Sequence, residues 1–217
     1  MNDLEKYIIA HSSPRGEALE WIERQTHLRT KFAHMLAGFE AGRLLETFSL
    51  MLRPHRILEL GTFTGYSSVC LAAGLPEGGR LDAVEINDEL EDVIREGYRR
   101  AGIEDRTRLL IGDCKAVIPT LDEVYDLVYI DANKREYPEY LALLMGDTPG
   151  GASPKVRQGS WIIADNVLWD GKVYGEHPKG DPQSRGIIAF NEAVAADGRL
   201  ENFILPLRDG LNIARVL

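Results

Sequence analysis

Cysteine is nearly absent from this chain. There are two in 217 residues, Cys70 and Cys114, forty-odd positions apart and outside any metal-ligand spacing. That excludes a disulfide scaffold and a zinc ribbon, and it suits a reducing, cytoplasmic setting. Long apolar runs are lacking too, so no segment reaches the roughly twenty residues of a membrane span. The start, MNDLEKYIIAHSS, is acidic and has no apolar stretch of signal-peptide length. Basic residues are in deficit, 25 against 34 acidic ones, for a net charge of -9. A broadly acidic surface repels phosphate backbones, which argues against a nucleic-acid partner and leaves a small molecule as the expected one. The dinucleotide fingerprint G-x-G-x-x-G does not occur after any candidate strand, and this weakens a nicotinamide dehydrogenase.

What is present reads as one α/β domain. Residues 4–52 are helical in character, with Leu19, Ile22, His27 and Leu28 at helix-like intervals. Pro14 is expected in a first helical turn, and a further helix is expected from Ala41 to Met51, stopping before Pro54. Beyond Pro54 short apolar runs alternate with helical stretches. Strands are expected at 56–60, 80–85, 107–111, 126–131 and 160–165, with helices near 66–73, 88–101, 115–121 and 137–145. Such alternation implies a parallel, doubly wound sheet covered on both faces. A last helix at 184–195 precedes two end strands, 202–205 and 211–216, at a hairpin-like spacing. The Gly- and Pro-rich stretch 146–159 is expected to be a surface loop. The division is a helical cap over 1–52 and an α/β core over 55–217.

In an open parallel sheet, ligands bind beyond the carboxyl ends of the strands. Five candidate places lie there: 59–65, Glu85, 112–114, Asp131, and Asp165-Asn166. The glycines of Gly61-Thr62-Phe63-Thr64-Gly65 would let backbone approach a ligand, although an ordinary strand-to-helix turn also uses glycine. Glu85 could accept both hydroxyls of a ribose, or simply be a solvated strand end. Asp131, Asp165 and Asn166 form a hard-oxygen set suited to Mg²⁺ or a similar ion (Mn²⁺ or Ca²⁺), against the commoner use of Asp as a cap. Lys134 could act as a base over such a site, or be a surface lysine. His27, His34 and His177 share no ligand spacing, and Trp169 could wall a pocket or fill core.

Three motifs carry a family resemblance: Gly61-Thr62-Phe63-Thr64-Gly65-Tyr66-Ser67, Asp131-Ala132-Asn133-Lys134 with Tyr137 and Tyr140, and Asp165-Asn166-Val167-Leu168-Trp169. With His34-Met35-Leu36 upstream, and Phe190-Asn191-Glu192, Leu205-Pro206-Leu207 and Asp209-Gly210-Leu211 downstream, the chain resembles the catechol and caffeoyl-CoA O-methyltransferases over nearly its whole length. The resemblance implies a Rossmann-like class I fold with a seven-stranded sheet, S-adenosylmethionine as methyl donor, and a homodimer. Carried over, it places Ala37, Glu59, Gly61, Thr62 and Ser67 at the methionine side of the donor, Glu85 at the ribose and Cys114 at the adenine, with Asp131 also bordering the donor. It makes Asp131, Asp165 and Asn166 the metal ligands, and Lys134 the base, with Asp131 beside it in catalysis. The implied acceptor is a vicinal dihydroxy aromatic. Three departures stand out. Cys114 replaces a small or polar residue, Asn133 stands where the animal catechol enzymes have tryptophan, and the 146–159 loop is longer than a Gly-Gly turn. Alternatives are an acyl-CoA ester, a hydroxylated amino acid or a protein as acceptor, and a non-catalytic module that senses S-adenosylmethionine, which would need neither the oxygen set nor Lys134.

Overall fold

The computed structural model describes residues 3–149, 153–175 and 180–217. Seven strands form one sheet in the order β3-β2-β1-β4-β5-β7-β6. They are β1 (Arg56–Leu60), β2 (Arg80–Glu85), β3 (Thr107–Ile111), β4 (Leu127–Ile130), β5 (Trp161–Asp165), β6 (Leu200–Leu205) and β7 (Leu211–Val216). The first five pair in parallel, and β7 runs antiparallel to both β5 and β6. β1 and β4 are buried almost throughout, as strands covered on both faces must be. The strand order reverses between β1 and β4, and this opens a crevice at their carboxyl ends.

Helices α1 (Asp3–Ala10), α2 (Glu17–Arg29) and α3 (Gly38–Leu52) precede the sheet, and α4 (Tyr66–Ala72), α5 (Glu91–Ala101), α6 (Cys114–Val117), α7 (Tyr137–Met145) and α8 (Pro182–Ala196) follow. The expected strands match to within two residues. The N-terminal reading needs two corrections. Pro14 lies in the break between α1 and α2, not in a first turn, because the chain does not resume helix until Glu17. The third helix begins three residues earlier than expected, at Gly38. Two clusters of buried side chains, one on each side of the sheet, form the core: Ile57, Leu81 and Tyr129 belong to one, and Leu58, Val128 and Ile162 to the other. Consecutive strand residues alternate between them, as a period of two requires. The loop 146–159 lies partly outside the described residues, and so does His177.

Candidate active site

The site grows from the turn after β1. Gly61 has φ +92, and a Cβ there would lie 2.5 Å from the Asp131 carbonyl oxygen. Only glycine fits that approach of two strand ends. Asp131 in turn donates its backbone N–H to the Leu60 carbonyl, 2.8 Å. Met35, Leu36 and Ala37 close over this turn, and together with Gly61, Thr62, Phe63, Thr64, Tyr66, Ser67 and Asp131 they line one pocket. Five of the residues expected at the methyl donor therefore meet in one place: Ala37, Gly61, Thr62, Ser67 and Asp131.

Glu59 sits beneath the pocket, fully buried. Thr62 and Ser68 donate hydroxyls to one of its oxygens, and Tyr98 donates to Ser68. Among the described residues its other oxygen has no partner. Burial pushes this carboxyl up to about 7, against the pull of those hydroxyls. A buried acceptor with a free lone pair at a cradle of this kind is suited to a bound polar group.

Glu85 ends β2 and is 7% exposed. Each of its oxygens accepts one backbone N–H, from Phe63 at 2.6 Å and from Asn87 at 2.8 Å. A carboxylate oxygen can accept more than one bond, so the pinned carboxylate can still receive two vicinal hydroxyls. Ile86 beside it is 69% exposed, an apolar surface next to the carboxylate that the sequence reading passed over. Cys114 is buried close by, at the N-terminus of α6. Burial raises its thiol to about 12, so it is a neutral, small surface.

The oxygen set lies where β4 and β5 end. Ile130 is in register with Ala164, so Asp131 and Asp165 follow on adjacent strands. The Tyr129 hydroxyl donates to Asp165 Oδ2 at 2.6 Å. Tyr129 and Asp131 share one face of β4, and the Asp165 carboxylate is therefore on that face as well. Asn166 follows with φ +59. Two further residues of this loop, Trp169 (φ 45) and Asp170 (φ 52), are also left-handed without being glycine, and strain of this type concentrates at functional loops. Tyr137 holds the floor, its single hydroxyl proton shared between the Ile130 and Asp165 carbonyls at 3.1 and 3.0 Å. Asn191 Nδ2 donates to the Val167 carbonyl, Asn212 to Asn191 and Asn202 to Asn212, so a chain of amides ties the loop after β5 to α8, β7 and β6.

Lys134 Nζ reaches back to Asp131 Oδ1, 2.5 Å away. Burial and the neighbouring Asp165 push the Asp131 carboxyl up, the Lys134 ammonium pulls it down, and the balance leaves it at about 6. The two carboxylates thus repel each other across a gap that one cation already answers. That donor set fits a divalent ion: two carboxylates and an amide, all oxygen. Among the described residues no group of three or more His, Cys, Asp and Glu side chains could hold a metal, so any ion here depends on the Asn166 amide and on water. Sequence reasoning missed Arg208. It has φ +51 and donates from Nη1 to the Leu36 carbonyl at 3.2 Å, and its charge also acts on Asp131. No spacing flags it, because the hairpin tip brings it to the site from β6.

Comparison with known proteins gives the family. The family model described as O-methyltransferase matches residues 9–217. A protein called catechol O-methyltransferase from Niastella koreensis is 31% identical over 184 residues, which is 81% of this chain and 79% of that one. Among solved structures, the O-methyltransferase TomG from Streptomyces achromogenes, in complex with SAM, is 28% identical, with a TM-score of 0.89 and coverage of 99% of this chain and 96% of that one. An O-methyltransferase from Bacillus cereus in complex with SAH is 27% identical, with a TM-score of 0.87 and coverage of 99% and 97%. The chain belongs to the O-methyltransferase family.

Proposed function

We propose that the chain transfers a methyl group from S-adenosylmethionine to one oxygen of a vicinal dihydroxy aromatic, with a divalent cation, most simply Mg²⁺, held by Asp131, Asp165 and Asn166. The observation that carries this reading is the pairing of two adjacent-strand carboxylates on one face, next to the pocket that Ala37, Gly61 and Ser67 line. In this reading Glu85 takes the ribose hydroxyls, Cys114 borders the adenine, and the Glu59 cradle lies under the methionine end. The bound cation would lower the pKa of a chelated hydroxyl and fix its direction.

The chain's own residues supply the rest. With a cation beside Asp131, Lys134 would release its own proton to solvent, and the neutral amine would then take the proton from the acceptor hydroxyl at Nζ. The strained loop 166–170 and the 35–37 segment fix the acceptor oxygen in line with the methyl group, and such alignment is worth on the order of several kcal/mol. The O–CH₃ bond forms as the S–CH₃ bond breaks, and the sulfonium leaves as the neutral thioether S-adenosylhomocysteine. This neutralisation of charge needs little acid-base help. Support comes from the Niastella koreensis relative named for catechol and from "Caffeoyl-CoA O-methyltransferase 1" of Arabidopsis thaliana, 28% identical. A cytoplasmic homodimer acting on a free phenolic completes the proposal, and no helix among the described residues is long and apolar enough to cross a membrane.

The test is a catechol panel with S-adenosylmethionine, with Mg²⁺ or with EDTA, read by mass spectrometry. Methylated catechol that disappears in EDTA is expected. Full turnover in EDTA removes the metal role, and methylation of none of the panel removes the acceptor class.

A further inference from the structure

Arg208 has an unusual position for a charged residue. It occupies the left-handed region at φ +51, which costs a non-glycine residue of order 1 kcal/mol or more. It is exposed, at the tip of the β6–β7 hairpin. Its one hydrogen bond among the described residues goes to the Leu36 carbonyl, and it makes no ion pair there. Asp209 beside it is engaged elsewhere, accepting from the Asp170 backbone N–H. The guanidinium also lies 3.2 Å from where a Gly38 Cβ would stand. It therefore bridges the hairpin to the segment 35–38 that closes the pocket, and its field reaches Asp131.

We propose that Arg208 is an acceptor-recognition residue that favours a dihydroxy aromatic bearing a carboxylate. The inference rests on the catechol reading above. With a divalent cation and one ionised hydroxyl at Asp131 and Asp165, the local charge there is close to balanced, and Arg208 is left as a permanent cation at the mouth with most of its donors open. A guanidinium presents paired N–H groups in the planar arrangement that a carboxylate matches with two bonds. The carbonyl of Leu36 uses one donor and fixes the plane. An acceptor whose ring is seated at Asp131 and whose acidic tail points outward would meet the remaining donors.

The test compares protocatechuate and caffeate, each against its own methyl ester, in the wild type, Arg208→Lys and Arg208→Gly. Glycine adopts φ +51 without strain, so the Gly variant should retain its Tm. The acid-to-ester ratio of kcat/KM is expected to fall about tenfold or more in Arg208→Gly and by less in Arg208→Lys. A ratio unchanged in Arg208→Gly overturns the proposal while leaving the catechol reading in place. Failure of the wild type to methylate acid and ester alike overturns the catechol reading itself, and this proposal with it. Calorimetric titration of each acid into the enzyme loaded with S-adenosylhomocysteine and Mg²⁺ gives a second readout: the acid should bind more weakly to Arg208→Gly than to the wild type, and equal affinity contradicts the assignment.

Discussion

At the residue scale the chemistry turns on charge balance between Asp131, Lys134 and Asp165. Asp131 has a raised pKa of about 6. A carboxyl raised above its unfolded value is neutral more readily in the fold, so its ionised form costs stability, and that cost appears as pH rises through about 6. Asp131→Asn, which cannot ionise, is therefore expected to raise Tm at pH 8 relative to wild type, and to raise it clearly less at pH 4.5, which lies inside the window between the ordinary value of 3.8 and about 6. Equal shifts at both pH values would show that the residue is not held near neutrality. In catalysis the same variant should lower kcat/KM by at least about a hundredfold, since one ligand and its charge are lost. Gly61→Ala should fail more broadly: its Cβ meets the Asp131 carbonyl at 2.5 Å, and a Tm lower by several degrees, read by scanning calorimetry, is expected.

At the element scale the loop after β5 is held by side chains from three other elements. Asn191 donates to the Val167 carbonyl, and Asn212 donates to Asn191. Asn191→Ala removes the partner of that carbonyl and of the Asn212 Nδ2 donor, at a cost of about 1–3 kcal/mol. Because Asn191 touches no reacting atom, the effect on rate should come through Asn166, as weaker Mg²⁺ binding with a smaller fall in kcat at saturating metal; a loss of kcat alone at saturating metal would contradict that route. The strands were legible in the sequence because β4 and β5, covered on both faces, appear as continuous apolar runs, and Asp131 and Asp165 could be placed at the sheet edge from their position at the ends of those runs. The N-terminal break was not legible: Pro14 is compatible with a first turn, and only the α2 start at Glu17 shows that the chain leaves helix there. Arg208 and the Asn191–Asn212 pair were missed for the same physical reason. Their proximity to the site is made by the antiparallel return of β7 and the hairpin tip, which no local spacing records.

At the scale of the whole molecule the edge strand β6 has Phe203 at 54% and Ile204 at 39% exposure, an apolar stretch that a monomer rarely leaves open on an unpaired edge. A second copy is the partner the homodimer proposal names. Phe203→Lys is expected to shift the species seen by sedimentation from dimer to monomer at micromolar concentration; an unchanged sedimentation coefficient would move the interface elsewhere.

The central claim is that two carboxylates and an amide at neighbouring strand ends take a divalent cation beside the methyl donor. Calorimetric titration of Mg²⁺ into the S-adenosylhomocysteine-loaded enzyme tests it without turnover. One ion per chain in the wild type, and none in Asp165→Asn, which keeps an acceptor for the Tyr129 hydroxyl, is the predicted result. Equal binding by both proteins would contradict it.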